Sequence, residues 1–351
     1  MAKYHVGVDY HKKFSYIVVK DDAGKSVRSG QVLNQRKSVE DFLEPFSEDA
    51  QAVLEATRNW TVMHDWLEEI VDDVKLANPI KVKAIAEAKI KTDKIDATIL
   101  SDLLRADLIP EAHVPSLKAR TMRLALRQRM FFVRIRTMAK NRIYTIFDRY
   151  PEQKKDLELQ TDLFGKAGRE QLQTLKVAEM DRILIDRELQ LIDELNFLVR
   201  ETEGTIKEHS RENENIIRLK SIPGIGEFFA RLIDAEIDDV NRFFNAKKLA
   251  AYVGLVPSTY SSGGRTFHGR IIKGGNKFLR WAFVEAVWPA IRKDEILRMQ
   301  YENLKVKKGV NKAKVAIARK LLHIAYQVLK EKRNYRPLNK LERERKVLQA
   351  S

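Results

Sequence analysis

The sequence has 351 residues, a net charge of +16 at neutral pH and 44% hydrophobic residues, which suffices for buried cores and excludes a disordered chain. It contains no cysteine, so disulfides and thiolate metal sites are excluded, and the spacing of its seven histidines matches no zinc-enzyme motif. Because neither a signal peptide nor a membrane-spanning run is evident, we expect a cytoplasmic protein without membrane contact, and its excess positive charge indicates a nucleic-acid partner.

The first third of the chain predicts an α/β domain with a mixed sheet, over residues 1–112. Residues 4–8, 16–20 and 26–33 are rich in β-forming side chains, and Asp-Asp-Ala-Gly at 21–24 is typical of a hairpin turn. Further strands are predicted at 51–54 and 74–77, and helical spacing covers 38–46, 62–71, 81–88 and 93–108. Three strands in hairpin order, followed by alternating helices and strands, favour a layered architecture.

Residues 113–212 predict a helical connector that begins with a strongly basic helix. Between His113 and Arg149 stand ten Lys or Arg residues and one acid, Asp148. Apolar residues interleave at helical spacing, so one face can pack while the other presents a basic stripe. We expect three arginines of this stripe to contact phosphates: Arg123, Arg127 and Arg134.

A second pattern of the connector, in residues 172–206, places Leu and Ile near heptad spacing, with Asn196 interrupting the seam. It favours an antiparallel helical hairpin or a coiled-coil arm that joins two copies of the chain. An ordinary helix of a globular domain fits the pattern equally well.

The last third, residues 213–351, is predicted to be mainly helical. Ser-Ile-Pro-Gly-Ile-Gly at 221–226 is typical of a helix-hairpin-helix motif, whose backbone N–H groups near Gly224 and Gly226 would bind a phosphate; a plain helix–helix turn is the alternative. A Gly- and Ser-rich loop is predicted over 258–264, a helix over 278–292 and a mostly helical basic tail over 305–346. Four cations close to the loop are candidates for holding phosphates: Arg265, Arg270, Lys273 and Lys277.

Four carboxylates of the first domain form a candidate metal site. Asp9 and Glu55 each end an apolar strand, where a carboxylate costs desolvation energy unless it is paired or bound to a metal. Asp93 and Asp96 lie one helical turn apart on one face. Each acid alone is explained as well by a helix cap or a turn. Together they suit Mg²⁺, a hard cation that prefers carboxylate oxygens and assists phosphoryl transfer.

The ordered set of short motifs resembles a known family. Gly7-Val8-Asp9, Leu54-Glu55-Ala56-Thr57, Lys91-Thr92-Asp93 with Asp96-Ala97, the 221–226 motif, and Gly254-Leu255 with Pro257 leading to Ser262-Gly263 occur in that order. They resemble the DEDD-type transposases of the insertion-sequence one-hundred-ten family, which are bridge-RNA-guided serine recombinases related to the pilin-gene invertase.

This resemblance implies a RuvC-like (RNase H-like) N-terminal domain, a coiled-coil connector and a C-terminal transposase domain. It implies that Asp9, Glu55, Asp93 and Asp96 bind Mg²⁺, for which Mn²⁺ can substitute, and that Ser262 is the nucleophile that forms a covalent 5′-phosphoserine link to DNA. It further implies donor and target duplex DNA, a structured guide RNA and a second copy of the chain as partners, in the prokaryotic nucleoid.

Two alternatives remain on the sequence alone. A metal-dependent nuclease of the Holliday-junction-resolvase type would use the four acids and water, and Ser262 would be incidental. A non-catalytic nucleic-acid-binding scaffold would need only the positive charge and the helical arm. Ser261 beside Ser262 leaves the choice of nucleophile open by one residue.

Overall fold

A computed structural model describes residues 2–86, 92–153, 162–210, 213–262, 265–272 and 274–337. The chain divides into two compact units, Met1–Val114 and Pro115–Ser351. A mixed α/β sheet unit followed by a mostly helical one agrees with the predicted fold class. None of the described helices is long and apolar enough to cross a membrane.

The first unit is built on a five-stranded sheet in the order β3-β2-β1-β4-β5. β2 pairs antiparallel with both β1 and β3, whereas β1, β4 and β5 run parallel. The strands are β1 (Tyr4–Tyr10), β2 (Phe14–Asp21), β3 (Ser26–Leu33), β4 (Ala50–Glu55) and β5 (Asp73–Ala77). The helices are α1 (Arg36–Leu43), α2 (Trp60–Ile70), α3 (Pro79–Ile85) and α4 (Asp93–Arg105).

Alternation along the central strands gives the sheet a buried side chain on each face. Val8 and Leu54 belong to a core with Met63 and Leu67 of α2, while Val53, one residue earlier on β4, packs in a second cluster with residues of α4. Helices therefore cover both faces of the sheet, as expected where parallel strands are buried.

The second unit is helical apart from one hairpin, within its described residues. Its long helices α5 (Leu117–Phe147) and α7 (Glu179–His209) pack as a pair. The remaining elements are α6 (Lys166–Thr174), α8 (Glu214–Lys220), α9 (Glu227–Ile237), α10 (Ala246–Val253), β6 (Pro257–Ser262), β7 (Arg265–Ile271), α11 (Lys277–Glu285), α12 (Val287–Lys293), α13 (Glu295–Lys308) and α14 (Val310–Lys330).

The heptad residues predicted on 172–206 are buried inside the chain. Ile185 and Ile192 of α7 pack with Ile143 and Phe147 of α5, so the helical hairpin is intramolecular. Asn196, which interrupts the seam, accepts a hydrogen bond from the Arg136 guanidinium at 2.7 Å. The polar interruption therefore has a partner on the facing helix.

Two local expectations for the last third differ from the structure. Residues 257–262 form strand β6, which pairs antiparallel with β7, where a loop was expected. Thr and aromatic residues on both sides of the Ser-Gly-Gly sequence favour strands, and glycines at a hairpin turn are typical of this arrangement. The helix predicted over 278–292 breaks at Ala286 into α11 and α12. The predicted tail beyond residue 337 lies outside the described residues.

The predicted division into residues 1–112, 113–212 and 213–351 stays a prediction. The first boundary lies close to the end of the first compact unit at Val114. Within the second unit, one hydrophobic cluster lies between α5 and α7, whereas the larger cluster of α8–α14 also includes Leu126 of α5 and Ile206 of α7.

Candidate metal centre and nucleic-acid interface

Strand pairing brings Asp9 and Glu55 to the same edge of the sheet. The parallel register of β1 and β4 runs from Tyr4 opposite Ala50 to Val8 opposite Leu54, and the next residue on each strand is one of the two acids. Because side chains alternate along a strand, both acids lie on the face opposite Val8 and Leu54. That is the face covered by α4.

Helix α4 approaches this face closely because Gly7 has no side chain. A Cβ atom built on Gly7 would lie 2.0 Å from the Ala97 carbonyl oxygen and 2.7 Å from the Ser101 nitrogen. The Ser101 hydroxyl donates to the His5 carbonyl at 2.9 Å, in the buried interface. Lys20 of β2, which is almost wholly buried, donates to Asp102 at 2.6 Å. These contacts fix α4 on the sheet.

The first turn of α4 carries the other two acids. Thr92 caps the helix by accepting a hydrogen bond from the Ile95 N–H at 3.2 Å, and Asp93 and Asp96 lie in the turn that follows. The packing of α4 on the sheet and the Thr92 cap therefore place the first turn of α4 beside the sheet edge that carries Asp9.

A histidine links the two groups of acids. Nε2 of His11 lies 3.1 Å from an Asp9 carboxylate oxygen and 3.2 Å from an Asp93 carboxylate oxygen. Partial burial raises the pKa of Asp9 above its ordinary value, and the negative charges of Asp96 and Asp93 raise it further, although His11 opposes them. Three carboxylates thus repel one another within one small site.

This donor set fits a divalent cation. Ligand atoms of Asp9, His11 and Asp93 all lie within 4.8 Å of one another, and Asp96 is close enough to raise the pKa of Asp9. Glu55 reaches the same edge through its strand register. Carboxylate oxygens whose repulsion a cation would relieve are the ligands expected for a hard divalent metal ion.

His11 was missed in the sequence analysis. The signal was the spacing, because a residue two positions after Asp9 at a strand end points to the same face as Asp9. Its imidazole adds a nitrogen donor to a site that was predicted from oxygens alone.

The hairpin of β6 and β7 carries the serine pair. Ser261 pairs with Thr266, and Ser262 pairs with Arg265, the first residue of β7. Lys273 lies outside the described residues, and Arg270 of β7 is exposed. The serine singled out from the sequence therefore stands at the last position of its strand, directly before residues 263–264, which lie outside the described residues.

The base of this hairpin is held by close backbone packing. Gly254 adopts φ +79°, and a Cβ there would lie 2.4 Å from the Ile272 carbonyl oxygen. The Arg280 guanidinium donates to the carbonyls of Val253 at 3.0 Å and Ile272 at 3.2 Å. The chain entering β6 and the chain leaving β7 are thereby tied to α11.

The two glycines of the 221–226 motif have different surroundings. Gly224 adopts φ +85°, and a Cβ there would lie 2.3 Å from the Ala286 carbonyl oxygen, so packing requires a glycine. Gly226 is exposed at the start of α9 and has no atom within 4 Å of its would-be Cβ. Two helices, α8 and α9, are joined by a turn, and of its two glycines Gly226 is the one with open space around it.

Two arginines predicted to bind phosphate are bonded within the protein. Arg127 makes a bidentate pair with Glu236, which is fully buried, at 2.9 and 3.0 Å. Arg123 donates to the Ala235 carbonyl at 2.8 Å and the Glu236 carbonyl at 3.0 Å. Asn276, at the start of α11, donates to the same carboxylate at 2.8 Å. These groups join α5, α9 and α11.

Much of the predicted basic stripe is neutralised by α7. Arg129 pairs with Glu203 at 2.7 Å, Arg142 pairs with Glu188 at 2.6 Å, and Arg149 pairs with Asp181. The acids that α5 lacks are supplied by the facing helix. Arg134 of α5 and Lys277 of α11 stay exposed, and they have no carboxylate partner among the described residues.

Two family models match the chain. The model of DEDD-type transposases, described as "Transposase", matches residues 6–151, which include the four acids. The model described as "Transposase IS116/IS110/IS902 family" matches residues 217–302, which include Gly224, Gly226 and Ser262. The sequence motifs that suggested the resemblance thus fall inside the two matched segments.

Several curated relatives are similar to parts of the chain. A "Transposase for insertion sequence element IS1111A" of Coxiella burnetii is 31% identical over 138 residues, 38% of this chain and 38% of the relative. A "Probable family 20 transposase" of Pseudomonas aeruginosa is 30% identical over 155 residues, 42% of this chain and 46% of the relative. The "Pilin gene-inverting protein" of Moraxella bovis is 36% identical over 132 residues, 35% of this chain and 39% of the relative.

The aligned segments span less than half the length of these relatives. The two matched regions lie one in each half of the chain, in the predicted order and around the predicted motifs. The chain belongs to the IS116/IS110/IS902 family of transposases.

Proposed function

We propose that the protein is an RNA-guided DNA recombinase of an insertion sequence, which cuts and exchanges strands through a covalent 5′-phosphoserine intermediate. The observation that carries this proposal is the convergence of Asp9, Asp93 and Asp96, with Glu55 on the neighbouring strand, in a chain of the transposase family. Membership of the family makes DNA the substrate class and implies a divalent metal ion.

A RuvC-like (RNase H-like) first domain is part of this proposal. It is supported by a sheet in which three hairpin-connected strands come first and two parallel strands follow, with the acids on β1, on β4 and at the start of α4. This strand order makes β1 and β4 neighbours, so acids that are far apart in the sequence lie at one sheet edge.

Mg²⁺ is the proposed metal ion, held by Asp9, Glu55, Asp93 and Asp96, and Mn²⁺ is expected to substitute for it. When bound, such an ion supplies a Lewis acid that stabilises negative charge on a phosphate undergoing transfer. The carboxylates orient the ion, and α4 keeps two of them at a fixed distance from β1 through Gly7 and Ser101.

Ser262 is the proposed nucleophile. Its hydroxyl oxygen would form a bond to the phosphorus of a DNA phosphodiester as the bond from phosphorus to the 3′-oxygen breaks. The serine proton passes to a base and the leaving 3′-oxygen takes up a proton, so a 5′-phosphoserine and a free 3′-hydroxyl end result. The proposed phosphate-holding groups are four cations near the serine: Arg265, Arg270, Lys273 and Lys277.

The test is to trap the covalent protein–DNA adduct. Wild-type protein with its element DNA, its guide RNA and Mg²⁺ is expected to give an adduct that is lost in Ser262→Ala and kept in Ser261→Ala, the matched control one residue away. If Ser262→Ala recombines normally, the assignment of the nucleophile is wrong. Recombination by Asp9→Ala, or without divalent metal, would contradict the proposed role of the acids.

A metal-dependent nuclease that uses water is the second candidate. It is favoured by the fact that the acid residues all lie in the first compact unit, since hydrolysis needs no serine from elsewhere. Under this candidate, Ser262→Ala would cut DNA at the wild-type rate and no adduct would form with either serine variant.

The guide RNA and a second copy of the chain are proposed partners. The exposed cations Arg134 and Lys277, together with the backbone at Gly226, are proposed to contact phosphates, so RNA or DNA binding is expected to weaken steeply with salt. Purification of the protein from its host is expected to yield a discrete co-purifying RNA; protein that is free of RNA yet active in recombination would contradict RNA guidance.

A further inference from the structure

A concave surface between α5 and α11 combines aromatic side chains with positive charge. It encloses a cavity of about 670 Å³, within the range of roughly 300–1,000 Å³ typical of small-ligand sites. Helix α5 contributes residues one and two turns apart, so they lie on one face, and α11 contributes its first turns. The lining includes Phe131, Arg134, Met138, Lys277, Phe278 and Trp281.

The aromatic walls are partly exposed and held in place. Phe131 is 53% exposed and Trp281 37% exposed, values well above those of core aromatic residues in this chain. Trp281 packs edge to face against Phe229, with ring centroids 5.3 Å apart. Phe278 is covered by the Arg127 guanidinium at 4.4 Å, and the bidentate pair with the buried Glu236 fixes that arginine. The Trp281 and Phe278 rings are therefore preorganised.

The charge of this cavity has one sign. Arg127, Arg129, Arg134 and Lys277 line it, and its lining includes no carboxylate residue. Arg127 and Arg129 are paired with acids behind the wall, whereas Arg134 and Lys277 have no such partner in the described part of the chain. A ligand with an apolar planar body and a negatively charged attachment would be matched in both respects.

We propose that this cavity binds an unpaired nucleobase of a single-stranded nucleic acid, stacked on Phe131 and Trp281, with its flanking phosphates on Arg134 and Lys277. Every base has an aromatic face, so such a site accepts any sequence, and the cations track the backbone. The inference rests on the proposed function, since a recombinase guided by RNA binds single strands. It adds a site that binds unpaired bases and excludes bases that are paired in a duplex.

The chemistry separates this ligand from the obvious alternatives. A duplex keeps its bases stacked inside the helix and offers only phosphates to such a cavity. A second copy of this chain would have to cover Arg134 and Lys277 with acids, and α5 itself carries none. A single-stranded nucleic acid pairs its phosphates with these cations and stacks a base on the aromatic rings at the same time.

The experiment measures equilibrium binding of full-length protein to labelled oligo(dT), oligo(U) and a blunt-ended duplex, in EDTA so that strand cleavage plays no part. Phe131→Ala is expected to weaken binding of one or both single strands by about 5- to 100-fold and to leave duplex binding unchanged. Phe197→Ala is the matched control, because Phe197 is similarly exposed at 49% but lies on α7 outside the cavity. Comparison of oligo(dT) with oligo(U) distinguishes a DNA strand from an RNA strand.

Two further readouts separate stacking from charge. Quenching of tryptophan fluorescence by the oligonucleotides is expected in the wild type and absent in Trp281→Phe, which keeps an aromatic ring and most of the affinity. Lys277→Gln is expected to lower the salt dependence of binding by about one ion, whereas Phe131→Ala leaves the slope unchanged.

The inference is overturned if Phe131→Ala binds single strands as the wild type does, or loses duplex and single-strand binding equally. A change in oligomeric mass of Phe131→Ala, without a loss of single-strand affinity, would assign the surface to contact between copies. Because binding is measured without metal, a failed recombination assay and a failed binding assay are distinguishable.

Discussion

At the residue scale, the acid cluster opposes stability in the absence of a cation. The pKa of Asp9 is raised by burial and by the charges of Asp96 and Asp93, so ionised Asp9 costs folding free energy above its folded-state pKa. Below the ordinary pKa of 3.8, the carboxyl is neutral in both the folded and the unfolded state and this cost vanishes.

We therefore expect Asp9→Asn to stabilise the metal-free protein at pH 7, by about 1 kcal/mol or less because the site is partly solvated. The gain should shrink as the pH falls towards the ordinary carboxylate pKa. Urea unfolding in EDTA at several pH values measures it. In the same variant, the rise of the melting temperature on addition of Mg²⁺ should be largely lost.

Asp73→Asn serves as the control for that variant, since Asp73 is an exposed acid at the start of β5, away from the cluster. It should change neither the stability at pH 7 nor the response to Mg²⁺. An Asp9→Asn protein that is less stable than the wild type in EDTA would refute the proposed repulsion.

The sequence pointed to the four acids of the proposed site but not to the histidine beside them. Asp9 and Glu55 were found because a carboxylate directly after an apolar strand is unusual, and Asp93 and Asp96 because of their helical spacing. His11 was missed although the two-residue period of a strand places it beside Asp9. The contact of His11 with Asp93 could not be predicted, because it depends on how α4 packs on the sheet.

At the element scale, one glycine sets the distance between α4 and β1. In Gly7→Ala, the new methyl group would meet the Ala97 carbonyl oxygen at 2.0 Å and force the helix away. We expect a loss of about 1–3 kcal/mol in the free energy of unfolding, as for overpacked cores, and weaker Mg²⁺ binding because Asp93 and Asp96 move with the helix.

Denaturant unfolding and Mg²⁺ titration measure the two effects. Gly30→Ala is the matched control on the same sheet, because its added methyl group would meet only a Phe42 ring carbon at 3.5 Å, an ordinary contact. Wild-type Mg²⁺ affinity in a folded Gly7→Ala protein would disprove the link between helix position and the metal centre.

The 221–226 turn offers a second paired test. Gly224→Ala combines a left-handed φ of +85° with a contact of 2.3 Å to Ala286, so a loss of about 2–4 kcal/mol is expected. Gly226→Ala has open space and should cost less than about 1 kcal/mol. Thermal melting compares the two; equal losses would show that the packing of Gly224 under α12 is unimportant.

The predicted elements were most accurate where the pattern was local. Strands at 4–8, 51–54 and 74–77 were each found within one or two residues of β1, β4 and β5. The pairing of β6 with β7 was missed because a Ser-Gly-Gly run by itself predicts a loop. The strands are indicated only when the Thr and aromatic residues on both sides of the run are considered together. The pairing of the α5 arginines with acids of α7 depends on the facing helix, which no single-helix pattern contains.

At the scale of the whole molecule, the net charge of +16 overstates the surface available to nucleic acid. Many cations of the second unit are bonded to acids of the same chain, so loss of a paired cation and loss of an exposed one should have different consequences. Arg127 and Arg270 represent the two cases.

We expect Arg127→Gln to cost about 3 kcal/mol of folding stability, because it removes the bidentate partner of the fully buried Glu236. Arg270→Gln should leave the melting temperature unchanged and reduce the salt dependence of DNA binding by about one ion. Calorimetry and DNA titrations at several salt concentrations measure these outcomes, and an interchange of the two phenotypes would contradict the structure.

The hairpin of β6 and β7 has a mechanical consequence. It is a two-stranded ribbon clamped at its base by Gly254 and Arg280, and the six residues of β6 extend it by roughly 20 Å at about 3.3 Å per residue. A ribbon of two strands is marginal by itself, so the packing of Gly254 and Arg280 at its base has to supply much of its stability. A serine at the far end of β6, the residue proposed as nucleophile, would therefore depend on bound substrate as well as on the fold for its accurate placement.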